Sequence, residues 1–207
     1  VSSYEYKEAF ERIKNYIRSG DTYQVNYSFR LRASVSSDPW SLFLPLLAAQ
    51  GPAFSAFINT GDWVICSASP ELFFLLDGDH IESRPMKGTA TRGLTHEEDI
   101  KRADDLRRSE KDRAENLMIV DMVRNDIGRI ADIGSVNVKD LYAVERYPTL
   151  WQMVSTVSAK TRATLPDIFQ AMFPPASITG APKPRTMEII AELETTPRRV
   201  YTGAIGF

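Results

Sequence analysis

Three cations, two glycines and two threonines fall within ten residues, Arg84-Pro85-Met86-Lys87-Gly88-Thr89-Ala90-Thr91-Arg92-Gly93. Pro85 should end strand pairing, and Gly88 lets the backbone approach a ligand closely. On such a turn Lys87 either lies against a pocket or stands in water as part of a basic loop. Glu71 has a similar double reading. It opens a very apolar run, Leu72-Phe73-Phe74-Leu75-Leu76, and is either a surface end-cap or an acid whose pKa burial raises. Asp112 and Glu115 are three apart, so in a helix their carboxylates share one face. There they form either a solvated acidic patch, paired with Lys111 or Arg113, or two ligands of a divalent cation. The stretch from Phe173 to Lys183 holds Ser177, Thr179, Gly180 and Ala181 ahead of a helix. Hydroxyls and bare amides at that place bind an anion, carboxylate as well as phosphate, unless the stretch is a plain Pro/Gly connector. The GxxxxGK spacing of a phosphate-binding P-loop is absent.

The elements that must position these groups follow from periodicity. Tyr4 to Ser19 has a helical apolar period stopped by Gly20. Tyr23, Val25, Tyr27, Phe29 and Leu31 then alternate with polar residues, which predicts a strand. Its uncharged face of Gln24, Asn26 and Ser28 suits a pocket wall or a solvent-facing strand. Asp38-Pro39 caps and opens a short helix through Leu47. Strands are expected at Ala53 to Asn59, Trp63 to Ser67 and Leu72 to Leu76. Asp77-Gly78-Asp79 should then turn the chain into a strand from Ile81 to Arg84. Thr95 and Glu98 read as a capping box for a charged helix ending near Arg108, and Ser109 as the cap of the next. Val136 and Met153 begin further strands, Thr164 to Met172 is helical, and Val200 to Phe207 reads as a strand. Hairpin-linked strands mixed with helices, without strand-helix-strand repetition, predict an α+β fold.

Composition narrows the function classes. The 207 residues carry 43% apolar and 25% charged side chains, which fits one large domain or two small ones with a substantial core. A net charge of -2 without a basic block favours neither nucleic acid nor an anionic membrane. No apolar run reaches the roughly 18 residues of a membrane span, and the N-terminus does not read as a signal peptide. Cys66 is the only cysteine, which excludes an internal disulfide and suits a reducing cytoplasm. With only His80 and His96 besides, a metal here should be a hard ion held by carboxylates.

Taken in series, the motifs resemble the chorismate-utilising enzymes, which include the anthranilate, aminodeoxychorismate, isochorismate and salicylate synthases. The matching stretches are Gly20 to Asn26, Ser69 to Phe73, Pro85 to Thr89, Asp112 to Asp121, Arg124 to Asp126, Ser177 to Lys183 and Tyr201 to Gly206. The resemblance implies two packed, mainly antiparallel sheets with helices outside, in one chorismate-binding catalytic domain over residues 1–207. Gln24 stands where the water-activating members carry a lysine, which implies amination. Lys87 stands where anthranilate synthases usually carry alanine, and Gln152 where they keep a histidine, which together resemble the aminodeoxychorismate branch.

That resemblance implies roles. Lys87 is the nucleophile, its pKa lowered by Arg84, Arg92 or the metal, and Glu71 is the general acid. Glu115 is a Mg2+ ligand with Asp112 in its shell. Gln24, Thr89, Ser177, Thr179, Gly180, Ala181 and Tyr201 bind substrate. It also implies chorismate as substrate, ammonia from a glutamine amidotransferase subunit, and 4-amino-4-deoxychorismate, a precursor of para-aminobenzoate and folate, as product. Two alternatives are an anthranilate synthase and a non-catalytic binding or scaffold fragment. Family members continue beyond the position of Phe207, so the expectation is a C-terminally truncated chain that is inactive on its own.

Overall fold

The computed structural model describes residues 1–51 and 54–207. In chain order its elements are α1 (Ser3–Arg18), β1 (Gln24–Val25), α2 (Pro39–Gln50), β2 (Phe54–Asn59), β3 (Val64–Ser69), β4 (Leu72–Asp77), β5 (His80–Arg84), β6 (Met86–Thr91), α3 (His96–Arg108), α4 (Glu110–Gly128), β7 (Asn137–Arg146), β8 (Leu150–Lys160), α5 (Leu165–Met172), a 3-10 turn (Ala176–Ile178), β9 (Gly180–Ala181) and α6 (Lys183–Leu193). They divide into two compact units, Val1–Ala33 with Ala163–Gly206, and Ser34–Arg162 with Phe207. Every strand pair among the described residues is antiparallel, and helices and sheets are mixed, the expected α+β class. No helix among them is long and apolar enough to cross a membrane.

In the Ser34–Arg162 unit, β8 is the strand to which the others are registered. One edge carries β5, from His80↔Lys160 to Ser83↔Val157, and then β6, from Met86↔Val154 to Thr91↔Leu150. Pro85 lies between them, and its carbonyl accepts the Ser155 N–H at 3.2 Å. The other edge carries β7, and β4 pairs outside β5. Ser109 caps α4, which turns Asn116, Ile119, Val120, Val123 and Ile127 inward. That face packs on β8 and β6, each apolar side chain contributing about 1.5–3 kcal/mol by leaving water. Ala103 and Leu106 of α3 join Trp151 and Met153 of β8 in a second cluster. A separate hairpin, β2 with β3, lies under α2, where Trp40, Phe43 and Phe57 meet ring to ring.

The other unit is built on α1 and α6, whose Ile13, Ile189 and Leu193 pack with Tyr16, Val25 and Tyr27. Its two-stranded sheet pairs Gln24 with Ala181 and Val25 with Gly180.

Several expectations need correction. Pro85 does not turn the chain away. It divides one sheet edge into β5 and β6, so Lys87 lies on a strand instead of a free loop. Among the described residues, ladder pairing of the alternating stretch from Tyr23 to Leu31 is limited to Gln24 and Val25, because β9 offers two residues as a partner. Its alternation is expressed instead in side-chain packing, with Tyr27 and Phe29 against Tyr6. Val200 to Phe207 forms a turn and unpaired chain among the described residues, with Arg199 and Thr202 at positive φ. Ala53, expected to start a strand, lies outside the described residues; the strand is described from Phe54.

The stretch after β6 ends in a clamp. Arg92 donates to both oxygens of Asp99, at 2.7 and 2.5 Å, and the same carboxylate accepts from the Gly93 N–H and the Trp151 indole at 2.9 Å each. Those bonds, the Arg92 pairing first, hold the Asp99 carboxyl well below the usual range. Thr95 accepts from the Glu98 N–H as a cap should, but Glu98 reaches back to Leu94 and not to Thr95. A Cβ on Gly93 would stand 2.3 Å from the Asp99 backbone nitrogen, so backbone would have to move. Gly93→Ala is therefore expected to destabilise the protein by about 2 kcal/mol or more, read as a fall in the denaturation midpoint with unchanged slope; a midpoint equal to that of the unsubstituted protein would refute the clamp.

Candidate active site

Lys87 owes its setting to a β-bulge. Met86 faces Val154 and Thr89 faces Gln152, so β6 spends one more residue than β8 over the same interval. Gly88, at φ +94, supplies the backbone turn that a side chain would resist. The close fit is on the same face. A Cβ on Gly88 would sit 3.0 Å from the Asp112 Cβ and 3.2 Å from the Met153 Cβ.

A bulge takes peptide groups out of the ladder, and three side chains take them up. Glu71 accepts the Met86 N–H at 3.3 Å, Asn116 donates to the Lys87 carbonyl at 3.3 Å, and Gln152 donates to the Gly88 carbonyl at 2.9 Å. The Gln152 carbonyl in turn accepts the Thr89 hydroxyl at 2.9 Å. Glu71, Lys87, Thr89 and the α4 carboxylates, separate in sequence, thus come together in one unit.

Burial is the leading influence on the Lys87 amine, and it pushes the pKa down. Glu71 and then Glu115 push it back up, with burial prevailing. This differs from the expected cause. Arg84 is engaged by Glu145, and Arg92 by Asp99, with its guanidinium 5.0 Å above the Trp151 ring.

Asp112 and Glu115 both face β6, the one against Gly88 and the other within the field of Lys87. Asp112 accepts the Ser109 hydroxyl at 2.5 Å, and Glu115 lies 3.8 Å from the Lys111 ammonium. No group of three or more His, Cys, Asp or Glu among the described residues is arranged to hold a metal. Two carboxylates on one helix face nevertheless fit the protein's share of a magnesium shell, which is otherwise completed by water and substrate oxygens.

The remaining predicted residues belong to the other unit. Ser177 and Thr179 are buried in the turn before β9. The Ser177 carbonyl accepts from the Asn26 side-chain amide, and the Thr179 carbonyl accepts the Asn26 N–H at 2.8 Å. The Thr179 hydroxyl donates to the Pro175 carbonyl at 3.0 Å, bracing the loop from within. Gly180 and Ala181 are the two residues of β9. A Cβ on Gly180 would fall 2.0 Å from the Gln24 carbonyl oxygen. Gln24, Asn26, Ile178 and Tyr201 share a groove with Tyr6 and Tyr23. The Gln24 Oε1 is shielded from solvent and meets no hydrogen-bond donor among the described residues.

Sequence reasoning missed the residues behind both loops. Arg198 donates to the Ile178 and Asn26 carbonyls at 2.7 and 2.5 Å and is paired with Glu194, which accepts the Ser28 N–H. Asn116 and Ser155 stand behind Lys87. The available signal was a polar residue on an apolar face: Asn116 precedes Ile119 and Val120 by three and four positions.

The sequence profile described as chorismate binding enzyme matches residues 1–207. Aminodeoxychorismate synthase component 1 of Escherichia coli strain K12 is 48% identical over 205 residues, covering 98% of this chain and 45% of that protein. An anthranilate synthase component 1 of Haloarcula marismortui is 45% identical over 203 residues, covering 97% of this chain and 42% of its own. The crystal structure of anthranilate synthase component I from Streptococcus pneumoniae superposes with a TM-score of 0.83 at 31% identity, over 94% of this chain and 43% of that one. The chain spans less than half the length of these relatives.

A lysine whose folded pKa lies below its unfolded value releases its proton sooner in the native state. Between the two values the unfolded chain binds more protons, so this group's contribution to stability rises with pH through that window. Acylation of Lys87 by an amine-selective reagent, followed by mass spectrometry, should therefore reach its half-maximal rate at lower pH in native than in denatured protein. An equal or higher native midpoint would remove burial as the dominant influence.

Proposed function

The chain belongs to the chorismate binding enzyme family, and from that premise we propose that it is part of an aminodeoxychorismate synthase component 1. The observation that carries the reading is Lys87, a lysine held on a bulge, with burial favouring its neutral and nucleophilic form, beside the carboxyl group of Glu71.

In the proposed reaction the Lys87 amine attacks C2 of chorismate as the ring double bonds shift and the C4 hydroxyl departs. Glu71 gives that hydroxyl a proton, so it leaves as water. Ammonia then attacks C4, the double bonds shift back, and the C2–nitrogen bond to Lys87 breaks. The enolpyruvyl ether is untouched, and the product is 4-amino-4-deoxychorismate.

Glu115, with Asp112 beside it, would hold Mg2+, which when bound supplies positive charge for the ring carboxylate. In the other unit Ser177, Thr179, Gly180, Ala181 and Tyr201 take the part of carboxylate-binding residues. Gln24 offers an acceptor that meets no donor among the described residues, suited to a donor-rich ligand such as ammonia. Thr89 is a substrate contact anchored by Gln152. A glutamine amidotransferase partner would supply the ammonia, in the cytoplasm. Residues 1–207 would be one catalytic domain's share of the longer protein.

The anthranilate reading has support in the 45% identity to the Haloarcula marismortui relative. Against it stand Lys87 itself and Gln152, whose amide is engaged at both ends by Gly88 and Thr89 and is no proton donor or acceptor of imidazole type.

In the full-length gene product, chorismate and Mg2+ without ammonia should leave a covalent adduct that peptide mass spectrometry places on Lys87. Glu71→Gln, which keeps an acceptor for the Met86 N–H, should lower kcat by about 10²–10⁴-fold. Pyruvate released in step with ammonia consumption would instead assign the anthranilate reaction, and ammonia-dependent amination undiminished in Lys87→Ala would end the covalent scheme.

A further inference from the structure

We infer that Asn116 and Ser155 are positioning residues for the Lys87 amine, acting through a directed hydrogen-bond chain from β7 across β8 and α4 to the bulge of β6. The inference rests on Lys87 being the nucleophile.

The chain begins where β7 also leaves register. Lys139 pairs with Thr156 and Ala143 with Val154, so β7 spends two more residues than β8 over that interval. Tyr142, inside that interval at φ +62, gives its N–H to the Ser155 hydroxyl oxygen at 3.1 Å. The Ser155 hydroxyl donates to the Asn116 side-chain carbonyl at 2.6 Å, and the Asn116 amide nitrogen donates to the Lys87 carbonyl at 3.3 Å. Asn116 is 1% exposed and Ser155 not at all.

The direction of this chain cannot be reversed. A backbone N–H can only donate, so the Ser155 oxygen accepts from Tyr142 and its single proton is left for Asn116. The Asn116 carbonyl is thereby fixed toward Ser155 and its NH2 toward Lys87. A flipped amide would set two carbonyl oxygens against each other and leave the Ser155 proton facing a donor. Fully paired, the chain is stable in a dry interior; broken at one point, it leaves a buried polar group unmatched.

What it fixes is the plane of the peptide joining Lys87 to Gly88. At a bulge the ladder does not set that plane, and rotation of the peptide swings the Cα–Cβ bond that carries the amine. Neither Asn116 nor Ser155 reaches the solvent from which substrate arrives, so their influence passes through Lys87. A displacement of about 1 Å in a reacting atom costs about 10²-fold in rate, and ground-state affinity need not change.

The test is the rate of adduct formation on Lys87 in the full-length gene product, measured by rapid quench and intact mass over a range of chorismate concentrations with Mg2+ and without ammonia. Ser155→Ala removes the middle donor at little cost in volume, and Asn116→Leu removes the contact to Lys87. We expect the saturating rate to fall by about 10-fold in the first and about 100-fold in the second, with half-saturating chorismate unchanged and near-ultraviolet circular dichroism native. Native-like variants with the unsubstituted rate would overturn the inference. So would equal changes in rate and half-saturation, which mark a structural role. If Asn116→Leu does not fold, Ser155→Ala decides alone. Absence of an adduct in the unsubstituted protein is a separate outcome, which overturns the nucleophile reading and this inference with it.

Discussion

The two edges of β8 lose register in adjoining intervals that meet at Val154, and the chemistry proposed for the Ser34–Arg162 unit depends on that. Beside Gln152 to Val154, β6 bulges at Gly88, and beside Val154 to Thr156, β7 loops out around Tyr142, while β4 slips against β5 between Leu72 and Leu75. A buried peptide group outside a ladder costs about 1–3 kcal/mol if nothing replaces its partner. Polar side chains must therefore enter an otherwise apolar region, as Asn116, Ser155, Gln152 and Glu71 do. The bulge and the polar residues are one feature: neither is tolerable without the other.

The same economy governs the turn from Pro175 to Ala181 in the other unit. Its short 3-10 turn and two-residue strand offer few regular backbone bonds, so side chains supply the rest. Asn26 serves Ser177, Arg198 serves Ile178, and Thr22, wholly buried, donates within the cluster formed by the Ala181 carbonyl and the Thr186 hydroxyl. A guanidinium is suited to this work because its planar fork reaches several carbonyls at once. Its burial requires a counter-charge, and Glu194, four residues earlier in the chain, provides it.

What could be read from the sequence divides along the range of the interactions. Local signals held: Asp38, Thr95 and Ser109 cap helices as their chemistry predicts, and Asp77 to Asp79 turns β4 into β5. Signals that need a partner strand did not, because alternation from Tyr23 to Leu31 says which side chains share a face but not what lies alongside. Pro85 reads locally as a strand terminator, and only pairing with β8 shows that both flanks continue along one edge. Lys87, Glu71, Asp112 and Glu115 were legible as chemistry-bearing types, and family resemblance gave them roles. The lowering of the Lys87 pKa by burial, with the arginines occupied elsewhere, was not legible, since it depends on packing between β6 and α4.

The electrostatics of this packing join the two halves of the proposed acid-and-nucleophile step. Burial favours the neutral amine, whereas Glu71 and Glu115 as anions favour the ammonium, and each opposes the form that must attack. Removing either negative charge therefore shifts Lys87 further toward the amine. A proton on Glu71 does so, and it is the proton that the departing hydroxyl needs; a cation engaged by Glu115 acts in the same direction. One protonation state of the site, neutral carboxyl beside neutral amine, then serves both as acid and as nucleophile. The opposite state, carboxylate beside ammonium, has the same net charge and supports neither role. Because the two differ only in where one proton resides, desolvation decides between them: the neutral pair is favoured in a dry site and the ion pair in a wet one. Burial of the bulge is thus the condition on which the proposed chemistry rests, and the polar chain behind it keeps that burial compatible with a strand that has lost its ladder.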